Sequence, residues 1–236
     1  MIHLNCDMGE GMPHDHLVMP YIDAANISCG LHAGDETTIR STIESAIAHR
    51  VQIGAHPSFD DRARFGRVEW NLTDPELYDL VVRQLTSFSK LVSQYGQQLT
   101  HVKPHGALYN LSAKNPRTAS VIAQAVFDLD PGVCLYGLSG SASISEARRL
   151  GLLTKSETFA DRRYAPDGSL VPRDRPGAVF THVEEIVEQC LFLREGKARA
   201  ADGTFINLES ETICIHGDGA NAVLFARAIH ERFRIS

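Results

Sequence analysis

The segment His101-Val-Lys103-Pro-His105 sets two imidazoles and an ammonium at alternate positions. Period two is the strand repeat, so the three side chains share one face. An apolar core does not accept three titratable groups on one side, whereas a strand end opening into a polar pocket does. Similar groups recur after other short apolar runs. Asp7 and Glu10 follow the first, His32 and Asp35 the second, and His56, Asp60 and Asp61 the third. Glu157, Asp161, Arg162, Arg163 and Tyr164 belong to a later run, and His216 and Asp218 to the last. Carboxylate, imidazole and ammonium groups gathered at one end suit proton transfer and the activation of water against an acyl carbon. Lys103 suits polarising a carbonyl or holding an anion, and cationic neighbours would lower its pKa towards that of a base. An Asp with two or three His is also a usable zinc or iron shell. If a divalent metal is present, Asp7, His32 and His56 are its expected ligands. There is no H-E-x-x-H, no G-x-S-x-G elbow, no G-x-G-x-x-G and no P-loop.

Plainer roles compete for several of these residues. Asp35 and Asp218 suit helix caps, Glu10 a loop anion, and Asp161 with Arg162 or Arg163 a structural ion pair. His3, His49, His182 and His230 lie away from the ends of the main runs and read as ordinary, as do His14 and His16, although their loop near the first strand end keeps a site role open for these two.

The elements that must position the polar set are short. Apolar runs fall at 2–6, 24–28, 51–55, 99–103, 133–137, 152–160 and 212–217. Helical periodicity follows most of them. Over 36–49, Ile39, Ile43, Ala46 and Ile47 share a face. Over 75–95, with Asp74 as cap and Pro75 in the first turn, Leu77, Leu80, Val81, Leu85, Phe88, Leu91 and Val92 form a stripe that Gly96 ends. Asn115-Pro116 opens another helix, Thr181 and Glu184 suggest a capping box, and Asp218 suggests the cap of the last. Residues 201–205 read as a loop or short hairpin. Alternation of this kind means parallel strands joined by helical crossovers. About seven units predict a single α/β domain over 1–236, a β/α barrel of the TIM-barrel type. The polar residues then sit at the carboxyl ends of the strands, where such barrels keep their chemistry.

With 236 residues, 43% of them hydrophobic, the chain has enough apolar content for one sizeable core. A net charge of −6 and no basic run argue against nucleic acid. No apolar stretch reaches the ~20 residues of a membrane span, and no signal peptide is legible. Five scattered cysteines, none in C-x-x-C, predict reduced thiols in a cytoplasmic protein. Cys134, Cys190 and Cys214 read as small buried hydrophobes.

The segments LNCDMGEG, ANISCGLHAGD, GAHPSF, FGR, HVKPHGALYN, ETFADRRY, LVPR and IHGD, in this order, resemble the LamB/YcsF family over nearly the whole chain. The resemblance implies a barrel related to the glycoside hydrolase/deacetylase type. Characterised members are one of the three subunits of bacterial 5-oxoprolinase, which implies opening of the 5-oxoproline lactam to L-glutamate. ATP would be used by subunits B and C to phosphorylate the lactam, and this chain would open it. Asp7, Glu10, His32, His56, Lys103, His105, Asp161, Arg162, His216 and Asp218 all fall on family motif positions. In this scheme Asp7 and His105 activate water or move protons, with Lys103, Glu10 and Asp161 in support. Lys103 and Arg162 hold the substrate's carboxylate or phosphate, and His32, His56, His216 and Asp218 complete the binding shell. The chain departs from the family pattern at Ser58, Arg64 and Val68 and in a short loop after Gly11. Arg64 and that loop are expected near the pocket mouth. Two other readings stay open: a metal-dependent deacetylase or amidohydrolase on a sugar or small amide, and a non-catalytic ligand-binding protein. Metal occupancy and assembly into a homo-oligomer are also left open.

Overall fold

The computed structural model describes residues 2–219 and 221–234. Its strands are β1 Leu4–Met8, β2 Ala24–Ser28, β3 Gln52–His56, β4 His101–Val102, β5 Cys134–Leu138, β6 Thr154–Phe159, β7 Lys197–Arg199, β8 Phe205–Asn207 and β9 Thr212–His216. Strands β1–β6 and β9 are parallel and close a seven-stranded barrel, with β9 between β6 and β1. The antiparallel β7–β8 hairpin stands apart from it and accounts for the turn signal at 201–205.

The helices are α1 Asp15–Val18, α2 Glu36–His49, α3 Asp74–Ser93, α4 Gly106–Lys114, α5 Pro116–Leu129, α6 Ala142–Leu150, α7 Val183–Arg194 and α8 Ala222–Arg234. Helix α3 buries Leu77, Leu80, Val81, Leu85, Phe88 and Val92, as its periodicity predicts. Each such side chain contributes roughly 1.5–3 kcal/mol on burial. Three cap expectations need correction. Thr73, not Asp74, caps α3, because Glu76 closes a box on its amide at 2.8 Å. His182, not Thr181, precedes α7, and no side chain caps it. Asp218 lies ahead of α8 and is held by two arginines. Asp35 does cap α2, accepting from the Thr38 amide at 2.7 Å. No described helix is long and apolar enough to cross a membrane.

The shell between strands and helices is apolar, while the inside of the barrel is polar. Register levels the inward side chains, so that Asp7 stands beside Asn26 on β2 and His216 on β9. His101, Lys103 and His105 climb this interior step by step. At the bottom, the His101 ring stacks on Tyr136, 4.2 Å between centroids, and its Nε2 donates to Asn26 Oδ1 at 2.8 Å. The ring lies where a side chain on Gly54 would stand, 2.1 Å from a Cβ built there, so β3 needs a glycine at that point.

Candidate functional site

Lys103 occupies the middle of the barrel and is almost wholly buried. Its Nζ donates to Asp7 Oδ1 at 2.8 Å and to Cys214 Sγ at 3.0 Å, and lies 3.0 Å from Glu157 Oε1. Burial alone would pull the ammonium pKa down, but the Asp7 and Glu157 charges hold it well above its usual value. This reverses the sequence expectation of a depressed lysine. The histidine neighbours visible along the chain are outweighed by carboxylates from two other strands. Asn26 also donates to Asp7 Oδ1 at 2.8 Å. Burial raises the Asp7 carboxyl, yet His56 and Lys103 overcome it and keep the group well below the carboxylate range. Asp7 is therefore ionised, with Oδ2 turned towards His56 Nε2 at 3.4 Å.

Above this layer, three imidazoles and Glu10 meet. Each imidazole has one nitrogen against a group that requires a donor. His56 Nδ1 faces the Lys103 carbonyl at 2.6 Å, and His105 Nε2 faces the Phe65 carbonyl at 2.9 Å. His32 Nδ1 lies 2.9 Å from Ser58 Oγ, whose own proton goes to the Phe59 carbonyl. Carbonyls only accept, so the three outer nitrogens carry the protons. The inner nitrogens of the neutral His32 and His105 rings then hold lone pairs, and with His56 Nε2 they turn towards Glu10 Oε1. That oxygen is 3.0 Å from His32 Nε2, 3.4 Å from His105 Nδ1 and 3.9 Å from His56 Nε2. His56 Nε2 and His105 Nδ1 are themselves 3.0 Å apart.

Lone pairs and a carboxyl crowded about one point repel one another unless something positive lies between them. Burial, and then the neighbouring His56, depresses His32 to about 3. Burial with His56 and His32 likewise holds His105 well below its usual value. Proton uptake by these two rings therefore does not supply the charge at neutral pH. Burial and the Asp7 charge raise Glu10 well above the carboxylate range, which marks the same shortage of positive charge. A tetrahedral shell with bonds of ~2.1 Å separates its ligand atoms by roughly 3.4 Å. The four atoms here lie within 4.8 Å of one another. Glu10, His32, His56 and His105 form a buried cluster that can hold a metal ion.

Asp7, Lys103 and two members of the cluster, His56 and His105, line a cleft of about 640 Å³ at the carboxyl ends of the strands. His216 lines it, with Nδ1 2.9 Å from Asp161 Oδ2, so the carboxylate fixes the proton on Nδ1 and leaves Nε2 free to exchange one. Burial raises Asp161, but His216 outweighs it and keeps the carboxylate ionised. Asp218 Oδ2 accepts from Arg67 and, at 2.8 Å, from Arg173, which ties the 62–67 turn to the segment after β6 across the cleft. Phe65 holds a left-handed backbone, φ 56°, and its carbonyl takes the His105 proton. A bulky residue in that conformation is costly and is found where surrounding contacts enforce it.

A model of the LamB/YcsF family matches residues 2–235. The chain belongs to the LamB/YcsF family. Curated relatives include the A subunit of 5-oxoprolinase from Bordetella pertussis, 47% identical over 97% of this chain and 93% of the relative. The A subunit of 5-oxoprolinase from Bordetella parapertussis matches with the same identity and coverage. Among solved structures, the lactam utilization protein from Thermus thermophilus superposes with a TM-score of 0.91 at 38% identity, over 99% of this chain and 96% of that one.

In this LamB/YcsF chain all ten expected site residues lie at one end of the barrel, but they divide into groups. Glu10 and His105 join His32 and His56 in the cluster, while Asp7 stands outside it, bound to Lys103 and Asn26. Asp161 pairs with His216 rather than with the neighbouring arginines. Ser58, one of the departures from the family pattern, orients His32. Arg64 turns to Asp61 at 2.9 Å, and it is Arg67 that lines the cleft. Asn26, Glu157, Arg67 and Arg173 belong to the site and were not among the expected residues. All four lie in segments that carry the family resemblance, ANISCGLHAGD, ETFADRRY, FGR and LVPR, and Glu157 also stood among the strand-end groups, but none was given a role.

Proposed function

We propose that the chain is the ring-opening component of an ATP-dependent 5-oxoprolinase, cleaving the 5-oxoproline lactam, or its phosphorylated form, to L-glutamate. One observation carries the reading: a single cleft brings an ionised carboxylate, Asp7, together with a metal-capable cluster and a histidine held by a carboxylate. The names and high identity of the relatives support the lactam as substrate.

In this mechanism Asp7 takes the proton of the attacking water through Oδ2, since Oδ1 is committed to Lys103 and Asn26. Lys103 keeps Asp7 ionised and in place rather than touching substrate. Water oxygen adds to the lactam carbon, the C–N bond breaks, and the ring nitrogen leaves as an amine. His216, with Nδ1 anchored on Asp161, delivers the proton that nitrogen needs from Nε2. A divalent ion held by Glu10, His32, His56 and His105 would supply Lewis-acid polarisation and a more acidic bound water. Arg162 faces the anionic group of the ligand. An unactivated lactam is a stable amide, and the chain carries no P-loop. ATP use is accordingly assigned to partner subunits B and C in the same cytoplasm.

The test is glutamate release from 5-oxoproline, with and without ATP, by this chain alone and then with the B and C partners. Release in the complete mixture alone, lost with Asp7→Asn, is the expected result. No release, from partners proven active beside an established ring-opening relative, would overturn the proposal.

A further inference from the structure

One wall of the cleft carries an imbalance opposite to that of the histidine cluster. Strand β5 ends at Leu138, and Ser139-Gly140-Ser141 turns into α6. The Ser139 amide is spent on the Glu157 carbonyl at 2.9 Å, and the Ser141 amide on the Leu138 carbonyl at 3.1 Å. The next amides, of Ala142, Ser143 and Ile144, are the first-turn donors that every helix leaves unpaired. Ser141 stands at the capping position but caps none of them, and its Oγ is buried with no partner. The helix start is pressed against the strand. A Cβ on Gly137 would come within 2.8 Å of the Ser143 hydroxyl.

A second and independent observation concerns Arg162, just beyond the end of the adjacent strand β6. It is only 7% exposed. Its Nη2 donates to the Val171 carbonyl at 2.7 Å, while its Nε is buried without a partner. Among the described residues no carboxylate forms an ion pair with it. Asp161 is taken by His216, Asp218 by Arg67 and Arg173, and Asp7 and Glu157 by Lys103. Burial and the nearby Arg173 weaken its hold on its proton, as expected for a cation lacking a counter-charge. A buried guanidinium without an anion is costly unless a ligand completes it. Arg162 and the Ser139–Ser141 turn line the same cleft.

We infer that the start of α6 and Arg162 together form a recognition subsite for a compact oxyanion, a phosphate group or a carboxylate, separate from the histidine–glutamate cluster. The guanidinium offers directed N–H donors and full charge, and the helix start offers amides and a positive dipole end. The Ser141 hydroxyl adds a donor already free of protein partners. The inference deepens the reading above in one respect, the seat of the ligand's anionic group, and its test needs neither turnover nor partner proteins.

The experiment is calorimetric titration of the intact chain with inorganic phosphate, followed by competition with 5-oxoproline. Wild type should bind phosphate saturably, and both Arg162→Gln and Ser141→Asp should weaken binding at least ten-fold. Aspartate is a favoured cap, so Ser141→Asp should fold at least as stably as wild type while its carboxylate occupies the subsite. That variant decides the matter if Arg162→Gln does not fold. Displacement of phosphate by 5-oxoproline would assign the subsite to carboxylate as well. Phosphate binding that 5-oxoproline leaves untouched would assign it to phosphate. No saturable binding by wild type, or undiminished binding by folded Ser141→Asp, overturns the subsite. Intact phosphate binding without any ring opening would remove the lactam reading alone.

Discussion

Two layers of the barrel interior lie one step apart and handle charge differently. The Lys103 layer is balanced: one buried ammonium meets two carboxylates, and Asp7 is further held by Asn26. The Glu10–His32–His56–His105 layer is unbalanced, with one carboxyl and three imidazoles turned to one point and the outer ring nitrogens bonded outwards. Burial is similar in both, so desolvation does not distinguish them. The difference is whether the protein supplies its own counter-charge. A balanced buried layer holds its own charges in place, Asp7 among them, and an unbalanced one is a place for something that is not protein.

The sharpest way to break this contrast is to remove a lone pair from the unbalanced layer. His105→Ala should reduce glutamate release in the three-component assay by roughly 10²–10⁴-fold. Metal content, measured by mass spectrometry on the purified protein, should fall from stoichiometric in wild type to a small fraction in the variant, with little change in melting temperature. Wild type lacking metal under metal-replete preparation would count against the cluster as a cation site.

The balanced layer should respond in stability instead. Lys103→Met leaves Asp7 and Glu157 buried together without a cation, a loss of about 3–5 kcal/mol. In a chain of this size that lowers the melting temperature by roughly 10 °C. Adding Glu157→Gln should recover part of the loss. A Lys103→Met protein as stable as wild type would show that the lysine is not the keystone of its layer.

A smaller effect separates the two layers through a single hydroxyl. Ser58→Ala removes the acceptor that fixes the His32 proton on Nδ1. Outer partners of metal-binding imidazoles are worth roughly 10–100-fold in affinity. Competition with a chelator should show that loss, with the fold intact by circular dichroism. Equal affinity in wild type and variant would make Ser58 a packing residue.

The smallest effect lies below both layers. Burial holds His101 neutral, well below the ordinary histidine value of 6.5. As pH falls below that value, the unfolded imidazole binds a proton that the folded one refuses, so stability drops with falling pH. For one group the loss between pH 7.5 and 5.5 is about 1 kcal/mol. Urea unfolding of wild type and His101→Asn at the two pH values measures it. The pH-dependent loss in the variant should be smaller by that amount, and equal losses would assign the dependence elsewhere.

The seven strands were legible because each is a short apolar run bounded by polar or turn residues, and all seven appear within a few positions of expectation. Helices α4 and α6 were not read out, since nine residues are too few for a clear stripe. Strand-end position located the site but not its internal pairing. Asp7 and Glu10 are three residues apart, yet Lys103 from the end of β4 and Asn26 from β2 claim the first and leave the second to the histidines. Asp218 looked like a cap because Arg67 and Arg173, its partners, come from far along the chain. The direction of the Lys103 shift failed for the same reason. Its dominant neighbours, Asp7 and Glu157, lie on strands that only barrel closure brings to it.

Closure itself has a further consequence. Strand β1 finds its second neighbour in β9, with Leu4 opposite Ile213. A ribosome making this chain therefore leaves one edge of the first strand bare until Thr212 and the rest of β9 have emerged. Until then β1 and β6 both present bare backbone donors and acceptors, the kind of edge on which nascent chains stick to one another. Ending synthesis before Thr212 would yield two open edges rather than a shorter barrel, and such a fragment is expected in the insoluble fraction of the cell.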